Sequence, residues 1–375
     1  MDKIEIYIDE LLEKSTPDRP IWNIEKILQG LKSTWNYIDG CMIKAILEMY
    51  AITKDEKYFR FADNFIDCKV REDGSIEGYS VEELNIDNVN AGKTLFELYD
   101  LTGKEKYRKA IDLVYSQIEQ MPRTGEGNFW HKNIYPNQVW LDGLYMCQPF
   151  YMEYETRFHE KKNYDDIFRQ FFNVVEHMRD PKTGLYYHAY DSSREMFWCD
   201  KVTGLSQNFW LRALGWYSMA LLDTLDKADA SVGEPYERLK KVFVDLMDAM
   251  LKYQDASGMW YQVVNFGGME KNYLETSGSS IMAYALLKGV RLGYLPKRMA
   301  AWAEKAFYGT WDKYLSKNPD GSLQLDGICL VAGLGGKDHR DGSLAYYFSE
   351  PVVCNDAKGV GPLVLAYTEM IARKK

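Results

Sequence analysis

The sequence has no uninterrupted apolar stretch close to the ~20 residues needed to cross a bilayer. Its first residues, MDKIEIYIDELLEK, alternate charge with apolar side chains and do not build the apolar core of a secretory leader. A cytoplasmic protein is the expectation. Basic charge is also short: 46 Lys and Arg stand against 55 Asp and Glu, for a net charge of −9, and no basic run interrupts the balance. Nucleic acid and anionic membrane surfaces are therefore excluded as partners. The six cysteines (Cys41, Cys68, Cys147, Cys199, Cys329 and Cys354) are scattered singly with no CxxC pair, which fits a reducing compartment and argues against structural zinc. The His and Asp residues of His188-Ala189-Tyr190-Asp191 and of Lys337-Asp338-His339-Arg340-Asp341 are too sparse for a ligand set, so neither a metal nor another cofactor is expected. Gly333-Leu334-Gly335-Gly336-Lys337 lacks phosphate-loop and dinucleotide spacing and reads as a flexible rim loop. No Pro/Ser-rich linker or charge block divides the chain, which predicts one domain over residues 1–375.

What is abundant is aromatic. Ten Trp, 28 Tyr and 16 Phe make 14% of the chain, a surplus that serves a ring-rich core or stacking on sugar rings equally well. The chain also repeats itself. Ile46-Leu47-Glu48-Met49-Tyr50-Ala51-Ile52-Thr53 and the following Lys-Asp-Glu-Lys-Tyr recur at Leu95-Phe96-Glu97-Leu98-Tyr99-Asp100-Leu101-Thr102 and Gly-Lys-Glu-Lys-Tyr, a shift of 95 − 46 = 49 residues. That period predicts stacked helical hairpins.

Looser copies continue the alternation of a nearly all-apolar helix with an amphipathic one: Val139–Phe158 then Tyr164–Met178, Phe209–Leu225 then Tyr236–Tyr253, Thr276–Leu292 then Lys297–Leu315, and finally Lys358–Ala372. With Tyr37–Tyr50 and Val89–Tyr99 there are six apolar helices, and Ile4–Leu12 supplies the sixth amphipathic partner. The compact solution is an all-α fold, an (α/α)6 toroid with six inner and six outer helices. Gly-centred segments such as Asp73-Gly74-Ser75 and Ala256-Ser257-Gly258 predict short hairpin-like loops at one mouth.

In such a ring every inner helix runs the same way, so residues ~50 positions apart converge where those helices begin. These positions hold Tyr37 and Asp39, Asp87 and Asn90, Trp140 and Asp142, Trp210 and Arg212, Glu275, and Asp356; the preceding loops add His131, Lys132, His188, Tyr346 and Tyr347. Asp142 is the candidate catalytic residue. Between Trp140-Leu141 and Gly143-Leu144 an apolar side chain would pack better, so Asp there needs a reason. Helix capping is the competing reason. Rings for stacking, carboxylates for proton transfer and helix N-termini supplying positive potential together describe a carbohydrate site that favours an anionic sugar. Arg212 and Trp216, four residues apart, share a helix face and would offer a cation beside a ring.

Phe129-Trp130-His131, Trp140-Leu141-Asp142-Gly143, His188-Ala189-Tyr190-Asp191, Phe209 to Trp216 (FWLRALGW), Glu275-Thr276-Ser277-Gly278-Ser279 and Asp356-Ala357-Lys358-Gly359-Val360-Gly361 fall in an order that resembles the unsaturated rhamnogalacturonyl hydrolases of glycoside hydrolase family 105. The resemblance implies a hydrolase that removes a Δ4,5-unsaturated galacturonic acid from the non-reducing end of a lyase product. It implies Asp142 as acid and then base, Asp87 as a second catalytic carboxylate, and His131, His188, Trp210, Arg212 and Trp216 as substrate-binding residues, to which Trp140 and Tyr37 are added from their place at the inner-helix starts. The partner is then a small acidic saccharide, and the protein a monomer or homodimer. Other readings stay open: an unsaturated glucuronyl hydrolase, an inverting glycosidase using Asp87 and Asp142 on a saturated glycoside, or a non-catalytic helical-repeat scaffold.

Overall fold

The computed structural model describes residues 3–374; Met1, Asp2 and Lys375 of the expected 1–375 unit lie outside the described residues. The helices are α1 (Lys3–Glu13), α2 (Ile24–Gln29), α3 (Tyr37–Thr53), α4 (Glu56–Asp67), α5 (Lys93–Thr102), α6 (Glu105–Gln120), α7 (Leu141–Phe158), α8 (Tyr164–Met178), α9 (Leu211–Lys227), α10 (Glu234–Leu251), α11 (Thr276–Arg291), α12 (Ala300–Tyr314), α13 (Leu344–Ser349) and α14 (Ala357–Ala372).

Helices α3, α5, α7, α9, α11 and α14 are the inner set. Contacts run from α3 to α5 and the 3-10 turn Ile86–Gly92 before it, then to α7, α9, α11 and α14, and from α14 back to α3. The ring therefore closes. Helices α4, α6, α8, α10 and α12 pack outside α3, α5, α7, α9 and α11, and α1 completes the outer layer, tied to α4 by Lys57–Asp9 at 2.9 Å and to α14 by the Tyr367 hydroxyl on Glu5 at 3.1 Å. This is the (α/α)6 toroid that the alternation predicts. The reason is visible in the side chains: α9 is buried almost throughout, from Leu211 to Leu222, whereas α4 and α8 bury one stripe each.

Two glycines set how closely the inner helices approach. A Cβ on Gly40 of α3 would lie 2.7 Å from the Ala91 Cα, and one on Gly278 of α11 would lie 2.2 Å from the Leu211 Cγ at the head of α9. Only hydrogen fits at these crossings.

Two expectations need adjustment. The second inner helix begins later than expected, at Lys93, because Ile86–Gly92 is wound as 3-10 turns. A tighter winding turns Asp87 and Asn90 into the ring. Helices α2 and α13 were not expected; each is a short cap-stabilised turn on the mouth side, with Asn23 accepting from the Lys26 N–H and Ser343 from the Tyr346 N–H. Hairpin-like turns form at Gly74, closed by the Val70–Ile76 bridge, and at Gly321 between the third and fourth strands, whereas the other two strand pairs join segments far apart in the chain. Strand β1 (Gln138–Trp140) pairs antiparallel with β2 (Ala189–Asp191), β3 (Leu315–Lys317) with β4 (Leu323–Leu325), and β5 (Ile328–Cys329) with β6 (Val352–Val353). Among the described residues no helix is long and apolar enough to cross a membrane.

Candidate active site

The carboxylates at the inner-helix heads divide into two kinds. Asp39 is buried and accepts from the Trp22 indole at 3.1 Å, the Asn23 amide at 3.1 Å, the Asn36 amide at 2.8 Å and the Ser33 hydroxyl. Glu275 caps α11, accepting from the Ser277 N–H at 3.0 Å and the Gly278 N–H at 2.7 Å, and also holds the Cys329 N–H at 3.0 Å. Asp356 caps α14 through the Lys358 N–H at 2.9 Å and pairs with the Lys358 ammonium at 3.1 Å. These three are structural.

Asp142 is different. It stands at the second residue of α7, and the residue at that helix's cap position, Trp140, makes no side-chain cap bond. Asp142 Oδ2 is buried without a hydrogen-bond partner, while 14% of the side chain remains open. The capping explanation fails here. Strand pairing sets the position: Trp140 lies opposite Ala189, and the Leu141 N–H donates to the His188 carbonyl at 3.1 Å, which brings the start of α7 against His188. His188 Nε2 then lies 3.2 Å from Asp142 Oδ2, within ion-pair reach yet not aligned as a hydrogen bond.

Asp142 opens into a cavity of about 140 Å³. Its wall contains Tyr37, Asp87, His131, Trp140, Asp142, Trp210, Arg212 and Trp216, eight of the nine residues singled out from the sequence. The ninth, His188, is fully buried behind Asp142 and does not reach the wall. Glu25, Lys132, Tyr135, Met146, Val331 to Gly333 and Arg340 complete the lining.

Asp87 accepts an ion pair from the Lys132 ammonium at 2.7 Å and lies 3.6 Å from His131 Nε2. Burial opposes its charge, but Lys132 and His131 outweigh burial and hold the carboxyl below its ordinary pKa. His131 shifts the other way. Burial pushes the imidazole down to about 4 despite Asp87, so the ring is neutral at pH 7. It stacks on Trp140 at 4.5 Å between centroids, with rings 9° apart, and Gly143 leaves it room: a Cβ there would lie 2.9 Å from His131 Nδ1.

Arg212 donates to the Cys329 and Leu330 carbonyls and to Ser277 Oγ, and the Trp210 ring lies 4.8 Å from its guanidinium carbon. Burial works against its charge, yet Cys329, Glu275, Tyr37 and Asp356 keep its pKa raised. Trp216, one turn on, stacks on Tyr145 at 5.0 Å.

Arg340 has no counterpart in the sequence reading. The loop read there as flexible and glycine-rich folds around it: the Arg340 Nε donates to the Gly335 carbonyl at 3.1 Å, Nη2 reaches the Tyr135 hydroxyl at 3.3 Å, and a Cβ on Gly333 would lie 2.7 Å from Nη1. The three closely spaced glycines were the available signal, since a backbone lying flat against a guanidinium needs them. Neither Arg212 nor Arg340 makes an ion pair among the described residues. Two guanidinium groups without a direct ion-pair partner beside Trp140, Trp210 and Trp216 suit an anionic ring. Among the described residues no three His, Cys, Asp or Glu side chains converge as a metal-binding group.

Comparison with known proteins gives the same direction. The sequence model of Glycosyl Hydrolase Family 88 matches residues 13–374. A family 105 glycoside hydrolase structure from C. acetobutylicum ATCC 824 is 46% identical, covers 98% of this chain and 99% of its own, and superposes with a TM-score of 0.91. The unsaturated rhamnogalacturonyl hydrolase YesR of Bacillus subtilis (strain 168) is 28% identical over 305 residues, 79% of this chain and 82% of that protein. The unsaturated glucuronyl hydrolase of Bacillus sp. GL1 shares the fold, with a TM-score of 0.66 over 92% of this chain and 88% of its own, at 13% identity.

Proposed function

The chain belongs to glycoside hydrolase family 105, related to family 88, and from that premise we propose that it removes a Δ4,5-unsaturated galacturonic acid from the non-reducing end of rhamnogalacturonan fragments left by lyases. One observation carries the reading. Asp142 is a carboxyl not spent on capping, open to a cavity that also holds two guanidinium groups without carboxylate partners. A cation pair is what a uronate requires, and an enol ether asks less of the protein than an ordinary glycoside does. Protonation of C4 generates an oxocarbenium-like centre at C5, water adds there, and the resulting hemiketal opens to release the neighbouring sugar. No second carboxylate has to attack the anomeric carbon.

In this scheme Asp142 gives its proton to C4 and then takes one from the incoming water. Asp87, held ionised by Lys132, serves as the fixed negative group near the sugar hydroxyls. Trp140, Trp210 and Trp216 bound the ring plane, His131 and Tyr37 line its edge, and Arg212 and Arg340 face the carboxylate. The Bacillus subtilis relative named for rhamnogalacturonyl substrates supports the choice of uronide.

The test follows the loss of enol-ether ultraviolet absorbance with unsaturated rhamnogalacturonan and unsaturated glucuronyl disaccharides offered side by side. Turnover of the former at a kcat/KM at least tenfold higher is the expected result. Equal turnover of both, or turnover only of a saturated glycoside, removes the proposal.

A further inference from the structure

Among the described residues the His188 imidazole meets two polar groups through its nitrogens. Its Nε2 lies 3.2 Å from Asp142 Oδ2, and its Nδ1 lies 2.8 Å from the hydroxyl of Tyr347. The ring is fully buried between Trp140, edge-on at 5.5 Å, and Trp210 at 4.8 Å. Tyr347 is fully buried on α13, and His188 Nδ1 is the sole hydrogen-bond partner of its hydroxyl among the described residues.

We propose that Tyr347 is a positioning residue for the reaction: its hydroxyl donates to His188 Nδ1, fixes the imidazole as the Nε2–H tautomer, and aims that N–H at Asp142 Oδ2. Oδ1 is then the oxygen that exchanges a proton with substrate. This rests on the reading of Asp142 as the acid.

The direction of the Tyr347 bond follows from what the alternative would strand. A neutral imidazole carries one N–H, and a phenol can give or accept. If Nδ1–H donated to Tyr347, the phenol hydrogen would be buried with no acceptor, which is the more expensive half of a hydrogen bond to leave unmade. The Nε2 lone pair would also face Oδ2, drawing the acid proton onto the buried oxygen and away from the cavity. With Tyr347 as donor both problems vanish. Only oxygen lone pairs go unused.

The proton ledger is simple. Asp142 carries its proton on Oδ1, transfers it to C4, and becomes a carboxylate whose Oδ2 charge meets His188 Nε2–H. Water adding at C5 returns a proton to Oδ1. His188 and Tyr347 keep their hydrogens throughout. The 3.2 Å contact, unaligned in the free protein, is expected to straighten when substrate loads the site, as catalytic hydrogen bonds commonly do.

Tyr347→Phe tests this in the full-length chain, since Phe refills the same space and only the hydroxyl is lost. Nitrogen-15 NMR of 15N-histidine-labelled protein, with His188 assigned by its disappearance in His188→Gln, reads the tautomer without any substrate. The expected result is Nε2–H in the native protein and a mixture or Nδ1–H in Tyr347→Phe. Turnover of the unsaturated disaccharide should fall about tenfold in kcat with KM within twofold. A native Nδ1–H tautomer, an unchanged tautomer in Tyr347→Phe, or a changed tautomer with undiminished kcat each overturns the proposal. A native protein inactive on unsaturated uronides sinks the substrate reading instead, and the NMR comparison then decides the Tyr347–His188 bond alone.

Discussion

Glu275 and Asp142 both stand at heads of inner helices, Glu275 at the cap position of α11 and Asp142 two positions further in on α7, and the fold treats them in opposite ways. Glu275 is wholly buried, and both its oxygens accept, from two N–H groups of its own helix, from Ser277 Oγ and from the Cys329 N–H. Asp142 caps nothing, and its buried oxygen has only the misaligned edge of His188. A saturated carboxylate can hold a loop but has no lone pair left to bind or exchange a proton. An unsaturated one destabilises the fold and is free for chemistry. The sector built by α7, α9 and the Ile86–Gly92 turn is thus where the proposed chemistry sits, and the sector built by α11, α14 and α3 carries the saturated carboxylates.

The comparison breaks most decisively at Asp142. Asp142→Asn should reduce kcat about 1,000-fold, within the range of general acid–base contributions, while the thermal midpoint stays where it was or rises. Undiminished turnover would move the chemistry elsewhere. The matching change at the other helix head should do the reverse. Glu275→Gln puts an amide NH2 against backbone donors, so urea unfolding should show a loss of about 2–4 kcal/mol, whereas the folded fraction keeps its kcat within a few-fold.

A third measurement sharpens the contrast through pH. His131 titrates near 4 in the fold because it is buried, against about 6.5 in the unfolded chain. Between those values the unfolded state binds the extra proton, so the stability contribution is complete above pH 6.5 and disappears as pH falls toward 4. Unfolding at pH 4.5 should be easier than at pH 7 by about 2–3 kcal/mol from this group, and His131→Asn should flatten that part of the slope. A slope unchanged in the variant would assign the acid sensitivity to other groups. The smallest effect is expected at the rim. Gly333→Ala places a methyl group 2.7 Å from Arg340 Nη1 and displaces the guanidinium, which should raise KM about threefold with kcat intact. An equal loss in kcat would place Arg340 in the chemical step.

Much of this was legible before any coordinates. The 49-residue repeat and the alternation of all-apolar with one-sided helices can be satisfied together only by inner and outer layers, and α8, expected over Tyr164–Met178, has those bounds. Asp142 stood out because a carboxylate between Leu141 and Gly143 violates local packing logic. Asp39, Glu275 and Asp356 carried the same kind of signal, and no local rule separates them from it. What separates them is supplied from far along the chain: Cys329 for Glu275, Trp22 for Asp39, His188 for Asp142. Arg340 was hidden for the same reason, since three glycines acquire meaning only from the cavity they border, and Tyr347, which the sequence places near the mouth, acquires its partner His188 only in the fold.

The order of helices, their buried faces and the ring they must form are written in periodicity, because an apolar surface of given spacing has few places to go. Which head-group carboxylate is left unsatisfied, and which distant histidine, tyrosine and arginine surround it, was decided only when the ring closed. Hydrogen-bond partners are fixed by contacts in space, and those contacts join residues 159 positions apart for His188 and Tyr347 and 205 apart for Tyr135 and Arg340.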